Sequence, residues 1–486
     1  MEKAFDARAG SESPRDIFVD LDGTLIRTDI FAESLLRYVR DNPLRLVSLP
    51  LLLMRGRAAA KAAIARAAPI DLVNLPYEQK LIEHLRERRR RGARLVLATA
   101  CHWRRANAIA AEVGIFDAVM ASDARTNLKG ARKLQAIEAA AEGRPFAYAG
   151  DSGADRPIWK AAASVITVNA PARDVREARR SGRLELSLRT RSHPLKALLR
   201  EMRPHQWIKN VLLFAPLFTS HLYTDLRHDL MALAGFAAFC LAASGHYIFN
   251  DLLDLDADRA HAVKRRRPLA SGDLTLAAAA LASLVLTIAA FALSLAVMPV
   301  AFTVTLAGYF ALTNAYSLFI KRVSTADIMT LALLYTLRVL AGATAISVLP
   351  SSWLLGFSVF VFSSLAYLKR YVEIAALPES APAAKGRRYS RSDAEALFSL
   401  GVAMGTAAVV VLALYISSAD VRALYRRPDI LWALCFLMLY WNNRLWMGAR
   451  RGKINDDPVI FAIRDRASRA IGAVFLAVVI AARFWP

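Results

Sequence analysis

The rhythm of apolar and polar positions changes near residue 170. Before that point, short apolar runs recur between charged stretches of helical period: DIFVDLDG, RLVLATA, PFAYAGD and SVITVNA. Short runs rich in β-branched and aromatic residues, alternating with helical segments, predict a parallel sheet covered by helices. Between the first two strands lies an insert, about 30–92, that is largely helical in pattern. Its apolar stretch LPLLLM is too short to cross a bilayer, which takes ~20 residues.

After Trp207 the apolar runs become long and the charged breaks short. About nine membrane spans are predicted, centred near 207–221, 229–249, 274–296, 299–320, 326–347, 352–368, 395–417, 429–446 and 467–485. The first is short and contains Lys209. From Pro171 to Arg203 arginines crowd and aromatics vanish, which predicts a basic linker lying on an anionic membrane surface. The predicted division is a disordered 1–15, a soluble α/β domain over 16–170, the linker over 171–203, and an all-α membrane domain over 204–486.

Charge adds an orientation. The chain carries 64 Lys and Arg against 41 Asp and Glu, a net +23, and is 56% hydrophobic. A soluble protein this basic would point to nucleic acid; with this apolar content the excess points to basic loops of a multi-pass membrane protein, and no nucleic-acid partner is expected. One set of loops holds Arg259, Lys264, Arg265, Arg266, Arg267, Lys321, Arg322, Lys369, Arg370, Lys385, Arg387, Arg388, Arg391, Arg450, Arg451 and Lys453. The alternate set holds Arg227, Arg422, Arg426 and Arg427. The basic set is predicted to be cytoplasmic, in a cell (inner) membrane, with the soluble domain on the same side. The amino terminus shows no apolar core of a signal peptide. Cys101, Cys240 and Cys435 are scattered, which excludes a disulfide framework or zinc site.

DIFVDLDGT places Asp20 and Asp22 just past a strand, where open parallel sheets bind ligands. One carboxylate there can attack phosphorus while the other handles the leaving-group proton. Thr99 ends LVLAT with a hydroxyl for a phosphate oxygen, Lys129 supplies a cation, and Asp151 and Asp155 in YAGDSGAD are hard ligands for Mg2+. With these four motifs in order, residues 16–170 resemble the haloacid dehalogenase (HAD) phosphatases. The resemblance implies a Rossmann-like fold and an aspartyl-phosphate on Asp20, with Asp22 as general acid and base. It also implies that Thr99 and Lys129 hold the phosphoryl group. Mg2+ would lie between Asp20, the Asp22 carbonyl and Asp151, with Asp155 in support, and the insert would be a helical cap.

The sequence NDLLDLDADRAHAVKRRRP ends an apolar segment with both signs of charge. On one helix at about 100° per residue, Asp251, Asp254 and Asp258 fall at about 0°, −60° and −20°. They share a face, and Asn250 flanks it. Asp256 falls off it. Like charges so placed want a divalent cation, and Mg2+ on carboxylates suits a diphosphate whose remaining oxygens Lys264 and Arg267 can neutralise. The pattern NDxxDxxxD resembles the first acidic motif of the UbiA-type prenyltransferases, a nine-span family that holds a diphosphate on Mg2+. The second aspartate-rich loop typical of the aromatic prenyltransferases is replaced by YLKRYVEIAALPES, with Lys369 and Arg370 and only Glu373 and Glu379 acidic.

RPHQWIKN (Arg203, Gln206, Lys209, Asn210), YSLFIKRVSTAD (Lys321, Asp327), the intramembrane Arg338, and NDDPVIFAIRDRAS (Asp456, Asp457, Arg464, Asp465, Arg466) resemble the polyprenyl-phosphate phosphoribosyltransferase branch. That resemblance implies attack of a polyprenyl phosphate on the ribose C1 of phosphoribosyl pyrophosphate (PRPP), with loss of pyrophosphate. Lys209, Lys321 and Arg338 are candidates for the acceptor phosphate. The expected enzyme is bifunctional, with Mg2+ in both domains and the HAD domain removing the 5-phosphate of the lipid-linked product. The alternatives are an aromatic polyprenyltransferase using a prenyl diphosphate, a transporter, and an inert HAD domain. Homo-oligomerisation is left open.

Overall fold

A computed structural model describes residues 14–42, 44–54, 63–64, 66–123, 127–377, 389–454 and 458–485. Glu379, Lys385, Arg387, Arg388, Asp456, Asp457 and nearly all of the predicted disordered amino terminus lie outside the described residues. The chain divides into two compact units, residues 1–202 with 247–283, and residues 203–246 with 284–486. The division does not follow the predicted boundary: Tyr247–Ser283, which carries the aspartate motif, folds with the soluble part.

The first unit is built on a parallel sheet of six strands in the order β3-β2-β1-β4-β5-β6. They are β1 Asp16–Val19, β2 Arg94–His102, β3 Ala118–Ser122, β4 Phe146–Gly150, β5 Ser164–Val168 and β6 Leu184–Leu188. Period-two alternation divides the core. Ile17, Val19, Leu95, Leu97, Ala147 and Ala149 pack on one face, and Phe18, Val96, Ala98, Phe146 and Tyr148 on the other. Helices α1 Ile30–Asp41, α2 Arg45–Met54 and α3 Gln79–Arg90 lie in the insert. Then come α4 Trp103–Val113, α5 Ala131–Ala141, α6 Arg156–Ala161, α7 Ala172–Arg180 and α8 Pro194–Glu201. The α3 and α4 side chains Leu81, Leu85 and Ile109 join the first face. Ile137, Ile158 and Ala178 of α5, α6 and α7 join the second.

The predicted linker is therefore corrected. Residues 184–188 pair in parallel with β5, and α7 buries Ala178 against the sheet. Leu184, Leu186 and Leu188 supply a strand's alternation, which the surrounding arginines obscure in the sequence.

The second unit is helical and holds the apolar segments. Its first predicted span is an eleven-residue 3-10 run, Pro204–Phe214, followed by the short α9 Ala215–Thr219, rather than one α-helix. Pro204 and Pro216 remove backbone donors at the start of each piece. The later predicted spans are helices: α10 Leu226–Leu253, then, past the short α11 Leu255–Ala260, α12 Leu276–Val297, α13 Val300–Leu318, α14 Ala326–Ala345, α15 Ser352–Ala375 and α16 Ala394–Ser417. After α17 Ala419–Leu424 come α18 Trp432–Arg450, α19 Pro458–Arg464 and α20 Arg466–Phe484.

Among the described residues six helices are long and apolar enough to cross a membrane: α10, α12, α14, α15, α16 and α20. Leu284, Ile288 and Leu295 of α12 and Val300 and Val304 of α13 are exposed, as side chains facing lipid need to be. Gly342 of α14 is required by packing: a Cβ there would lie 2.0 Å from the Leu213 carbonyl oxygen.

Candidate active sites

Strand β1 lies between β2 and β4, so their carboxyl ends meet where the strand order reverses, the ligand crevice of an open α/β sheet. Asp20 follows β1, and its N–H donates to the Ala149 carbonyl of β4 (3.0 Å). Asp151 follows β4, and Asp155 closes the next turn. Oxygens of Asp20, Asp151 and Asp155 lie within 4.8 Å of one another, the one such acidic group among the described residues. This all-oxygen set fits a hard divalent cation such as Mg2+. Burial raises Asp20, opposed by the charge of Lys133. Burial, reinforced by the charges of Asp20 and Asp155, pushes Asp151 up to about 7. A cation there would relieve both.

Asp155 is buried and firmly held. It accepts from the Tyr148 hydroxyl (2.7 Å) and from the Asp151 and Ser152 N–H groups (3.2 and 3.1 Å). Gly23 lets the loop after β1 close over Asp151. Its φ is +83°, and a Cβ would lie 2.1 Å from Asp151 Oδ2. Asp22 stands apart from the metal set, and its Oδ1 accepts the Ile30 N–H (2.8 Å) at the start of α1. A carboxylate held by a helix end is placed to accept or donate a proton.

Two phosphate-binding candidates are placed differently from the sequence expectation. Thr99 is fully buried within β2, and its hydroxyl oxygen accepts the Cys101 N–H (3.0 Å). The cation on Asp20 is Lys133, whose Nζ donates to Asp20 Oδ1 (2.6 Å). Lys129 lines the neighbouring cavity. Lys133 is one helical turn further on, in the first turn of α5 after Gly130 at φ +61°. The signal was a second lysine in LKGARK.

The aspartate motif is also rearranged. The single-helix reading is corrected at Asp254, which caps α11 between α10 and α11. Helical bonding nevertheless persists, from Asp254 N–H to Asn250 O and from Asp258 N–H to Asp254 O (both 2.9 Å). Asp251 and Asp258 are buried and converge on Arg267, at 3.2 Å for Asp251. Lys264 stands 3.9 Å from Asp258, and Asn250 donates to Asp254 Oδ2 (3.1 Å). Burial raises Asp258, with Arg267 opposing and Asp251 reinforcing. The pair thus fits a cation, and Arg267 provides one.

Asp256, off that face, points to α1. It pairs with Arg37 and with Arg40 (2.9 Å). Burial alone would raise its carboxyl, but Arg37 and then Arg40 hold it below the usual range. Beside it, Arg259 forms a two-pronged pair with Glu33 (2.7 and 3.1 Å), both side chains at most 3% exposed. Glu33 also accepts from Thr28 (2.7 Å). One helix, α1, therefore carries the Asp22 contact at its start and the grip on the aspartate segment one turn later.

In the second unit Arg338 is buried and donates to Asn210 Oδ1 (3.0 Å), the Leu334 carbonyl (2.7 Å) and the Tyr309 hydroxyl (2.8 Å). Asn210 in turn donates to Cys240 (3.3 Å), and Trp207 to Ser244 (2.9 Å). The segment RPHQWIKN is thereby tied to α10 and α14. Lys209 lies over the Tyr335 ring (5.9 Å). Arg370, expected near substrate phosphate, is 1% exposed and neutralises Asp327 (2.5 Å) and Glu373 (2.6 Å). A buried Asp327 needs that cation, which takes Arg370 away from the role the sequence reading gave it. Lys369 and Lys321 are partly exposed.

Residues 212–461 match the UbiA prenyltransferase family, and residues 17–160 match the haloacid dehalogenase-like hydrolases. The chain belongs to the UbiA prenyltransferase family. Its first unit carries a HAD-like hydrolase domain, so this UbiA-family chain joins a transferase to a phosphatase. It is 36% identical to the uncharacterised protein y4nM of Sinorhizobium fredii, over 94% of this chain and 89% of that protein. It is 35% identical to the nodulation protein NoeC of Azorhizobium caulinodans, over 58% of this chain and 94% of that protein. It is also 35% identical to the decaprenyl-phosphate phosphoribosyltransferase of Mycolicibacterium smegmatis, over 37% of this chain and 58% of that protein.

Proposed function

We propose that this UbiA-family enzyme transfers 5-phosphoribose from PRPP to a polyprenyl phosphate and then removes the 5-phosphate with its HAD domain. The likeness to a decaprenyl-phosphate phosphoribosyltransferase supports the first step. The cationic loop that replaces a second aspartate motif supports it too. A lipid phosphate oxygen attacks ribose C1, the C1–O bond to pyrophosphate breaks, and pyrophosphate leaves. Asp251, Asp254 and Asp258 would hold Mg2+ against the diphosphate, with Asn250 beside them. Lys264 and Arg267 would take the remaining oxygens, Arg267 moving off the carboxylates it now bridges. Lys209, Lys321 and Lys369 are the proposed cations for the acceptor phosphate. Arg338 holds Asn210 and Tyr309 in place.

In the second step Asp20 attacks the 5-phosphate, and Asp22 protonates the departing ribose oxygen. Asp22 then takes a proton from the water that hydrolyses the aspartyl-phosphate. Mg2+ on Asp20, Asp151 and Asp155, together with Lys133, would offset the charge on the transferring group. Both reactions are assigned to the cytoplasmic face of the inner membrane.

The observation that carries the tandem reading is that the aspartate-motif segment folds in one compact unit with the phosphatase sheet and is gripped there by Glu33, Arg37 and Arg40. The test uses purified protein in detergent with Mg2+, polyprenyl phosphate and PRPP labelled in the ribose. Wild type should yield lipid-linked ribose, D20N should stop at its 5-phosphate, and D251N should make neither. No label in lipid, with turnover of a prenyl diphosphate and an aromatic acceptor instead, would replace this reading with the aromatic one.

A further inference from the structure

The apolar stretch LPLLLM of the insert forms most of α2, Arg45–Met54, where every residue but Arg45 and Ser48 is apolar. Its 10 residues rise about 15 Å, half of the ~30 Å hydrocarbon core, so α2 is too short to cross a bilayer. Its ends are not those of a core helix. Met54 is 83% exposed, and Leu44, just before α2, is 78% exposed. Both exceed Leu295 of the membrane helix α12, at 74%. Pro50 is exposed as well, and Leu49 and Leu52 are half-buried. Apolar side chains gathered in this way on a folded domain mark a surface that something covers.

The charges around α2 say what kind of surface covers it. From Asn42 to Ile70 the sequence holds Arg45, Arg55, Arg57, Lys61 and Arg66, and neither Asp nor Glu. An apolar helix flanked by cations alone is the pattern of a helix lying in a membrane interface, its apolar side among acyl chains and its cations among anionic headgroups. Arg45 stands over the Tyr38 ring (4.7 Å) and donates to the Tyr38 carbonyl (3.5 Å), which fixes one such charge at the corner between α1 and α2. A lipid surface is always at hand, because the chain carries helices long and apolar enough to cross a membrane.

We propose that α2 lies in the boundary between headgroups and acyl chains of an anionic bilayer and seats the insert of the phosphatase on the membrane. Helix α1 joins this seat to the phosphatase cavity. Ile30, Phe31 and Ser34 near its start line that cavity together with Asp22, and its 12 residues rise about 18 Å. The cavity then opens within about 18 Å of the membrane-seated corner, near the headgroups, where the phosphate of a lipid-linked substrate sits. The membrane contact stands on α2 itself. Its use for a lipid-linked phosphomonoester rests on the reading above.

The test uses the full chain in proteoliposomes, with a polarity-sensitive fluorophore on M54C, on L44C or, as a water-facing control, on E138C of α5. Cys435 is replaced by C435S, and the buried Cys101 and Cys240 are kept. In vesicles of phosphatidylglycerol and phosphatidylcholine, labels on M54C and L44C should be quenched by spin-labelled acyl chains and shielded from aqueous iodide. The label on E138C should do the reverse. Leaving out phosphatidylglycerol should weaken the acyl-chain quenching. L44E/M54E should leave turnover of a soluble aryl phosphate unchanged and lower kcat/KM on vesicle-borne, lipid-linked 5-phosphoribose about tenfold. Labels on M54C and L44C that iodide reaches as easily as E138C would overturn the proposal. Labels shielded from both quenchers would overturn it too, and would show that a second copy or another segment of this chain covers α2. Equal kcat/KM on the lipid for wild type and L44E/M54E would overturn the use of the contact in catalysis. No turnover of that lipid by wild type would instead sink the phosphoribosyl reading, and the quenching result would still decide the membrane contact.

Discussion

Lys133, Gly23 and Asp151 each make a separable prediction. Removing the ammonium on Asp20 should cost a factor comparable to losing one preorganised charge donor, about 10²–10³ in kcat. K133M should therefore abolish most phosphate release while PRPP-dependent lipid labelling persists; equal loss of both activities would contradict the assignment. G23A puts a methyl group into the Asp151 carboxylate at a positive φ. It should weaken Mg2+ binding to the phosphatase without touching lipid labelling.

Asp151, pushed up to about 7 by burial and its acidic neighbours, sets a pH dependence. A carboxyl raised in the folded state stabilises the metal-free fold below the unfolded value, and that contribution is lost as pH climbs towards 7. Mg2+ displaces the proton, so Mg2+ should raise Tm more at about pH 8 than at about pH 6. A shift that does not change with pH would count against Asp151 as a ligand.

At the scale of elements, α1 is the member to test. Its first N–H holds Asp22, and its first turn places Glu33 on Arg259. Breaking a buried ion pair by removing one partner costs about 3–5 kcal/mol, whereas replacing both with apolar groups is often neutral. E33M and R259M should each lower Tm by several degrees, and the double variant should recover much of it. Because the first N–H of α1 holds Asp22, E33M should change the phosphatase kcat as well as stability. Additive losses in the double variant would show that the two residues act independently.

For the whole molecule, the compact unit that holds the phosphatase includes residues 247–283 as well as 1–202. Cut out alone, residues 1–202 would leave Glu33 and Arg37 without Arg259 and Asp256 and would uncover the surface they share. That fragment should melt below the same domain in the full chain, and E33Q/R37Q should narrow the gap. An equally stable fragment would show that the segment adds nothing to the fold.

Much of this architecture was legible in order along the chain. The sheet was readable because parallel strands buried on both faces are nearly continuous apolar runs, and the long spans because crossing a bilayer demands length. Asp20, Asp22, Asp151 and Asp155 were readable as carboxylates just past strand ends, and the sheet brings Asp20, Asp151 and Asp155 together. What stayed hidden depended on partners. The strand at 184–188 lies among arginines, and its leucines gain meaning only beside β5. Choosing between Lys129 and Lys133 required the direction of α5.

The sequence by itself determined the two kinds of domain, the strand-end acids and the run of apolar helices, because periodicity and residue chemistry are local properties. Only the tertiary structure decided that Lys133 reaches Asp20, that Arg267 bridges Asp251 and Asp258, that Arg370 answers Asp327, and that the aspartate segment folds with the phosphatase sheet. Each of those is a pairing of charges distant in sequence or separated by a turn. Which cation a buried carboxylate receives is settled by the packing that excludes water from it, and that packing is a property of the folded chain.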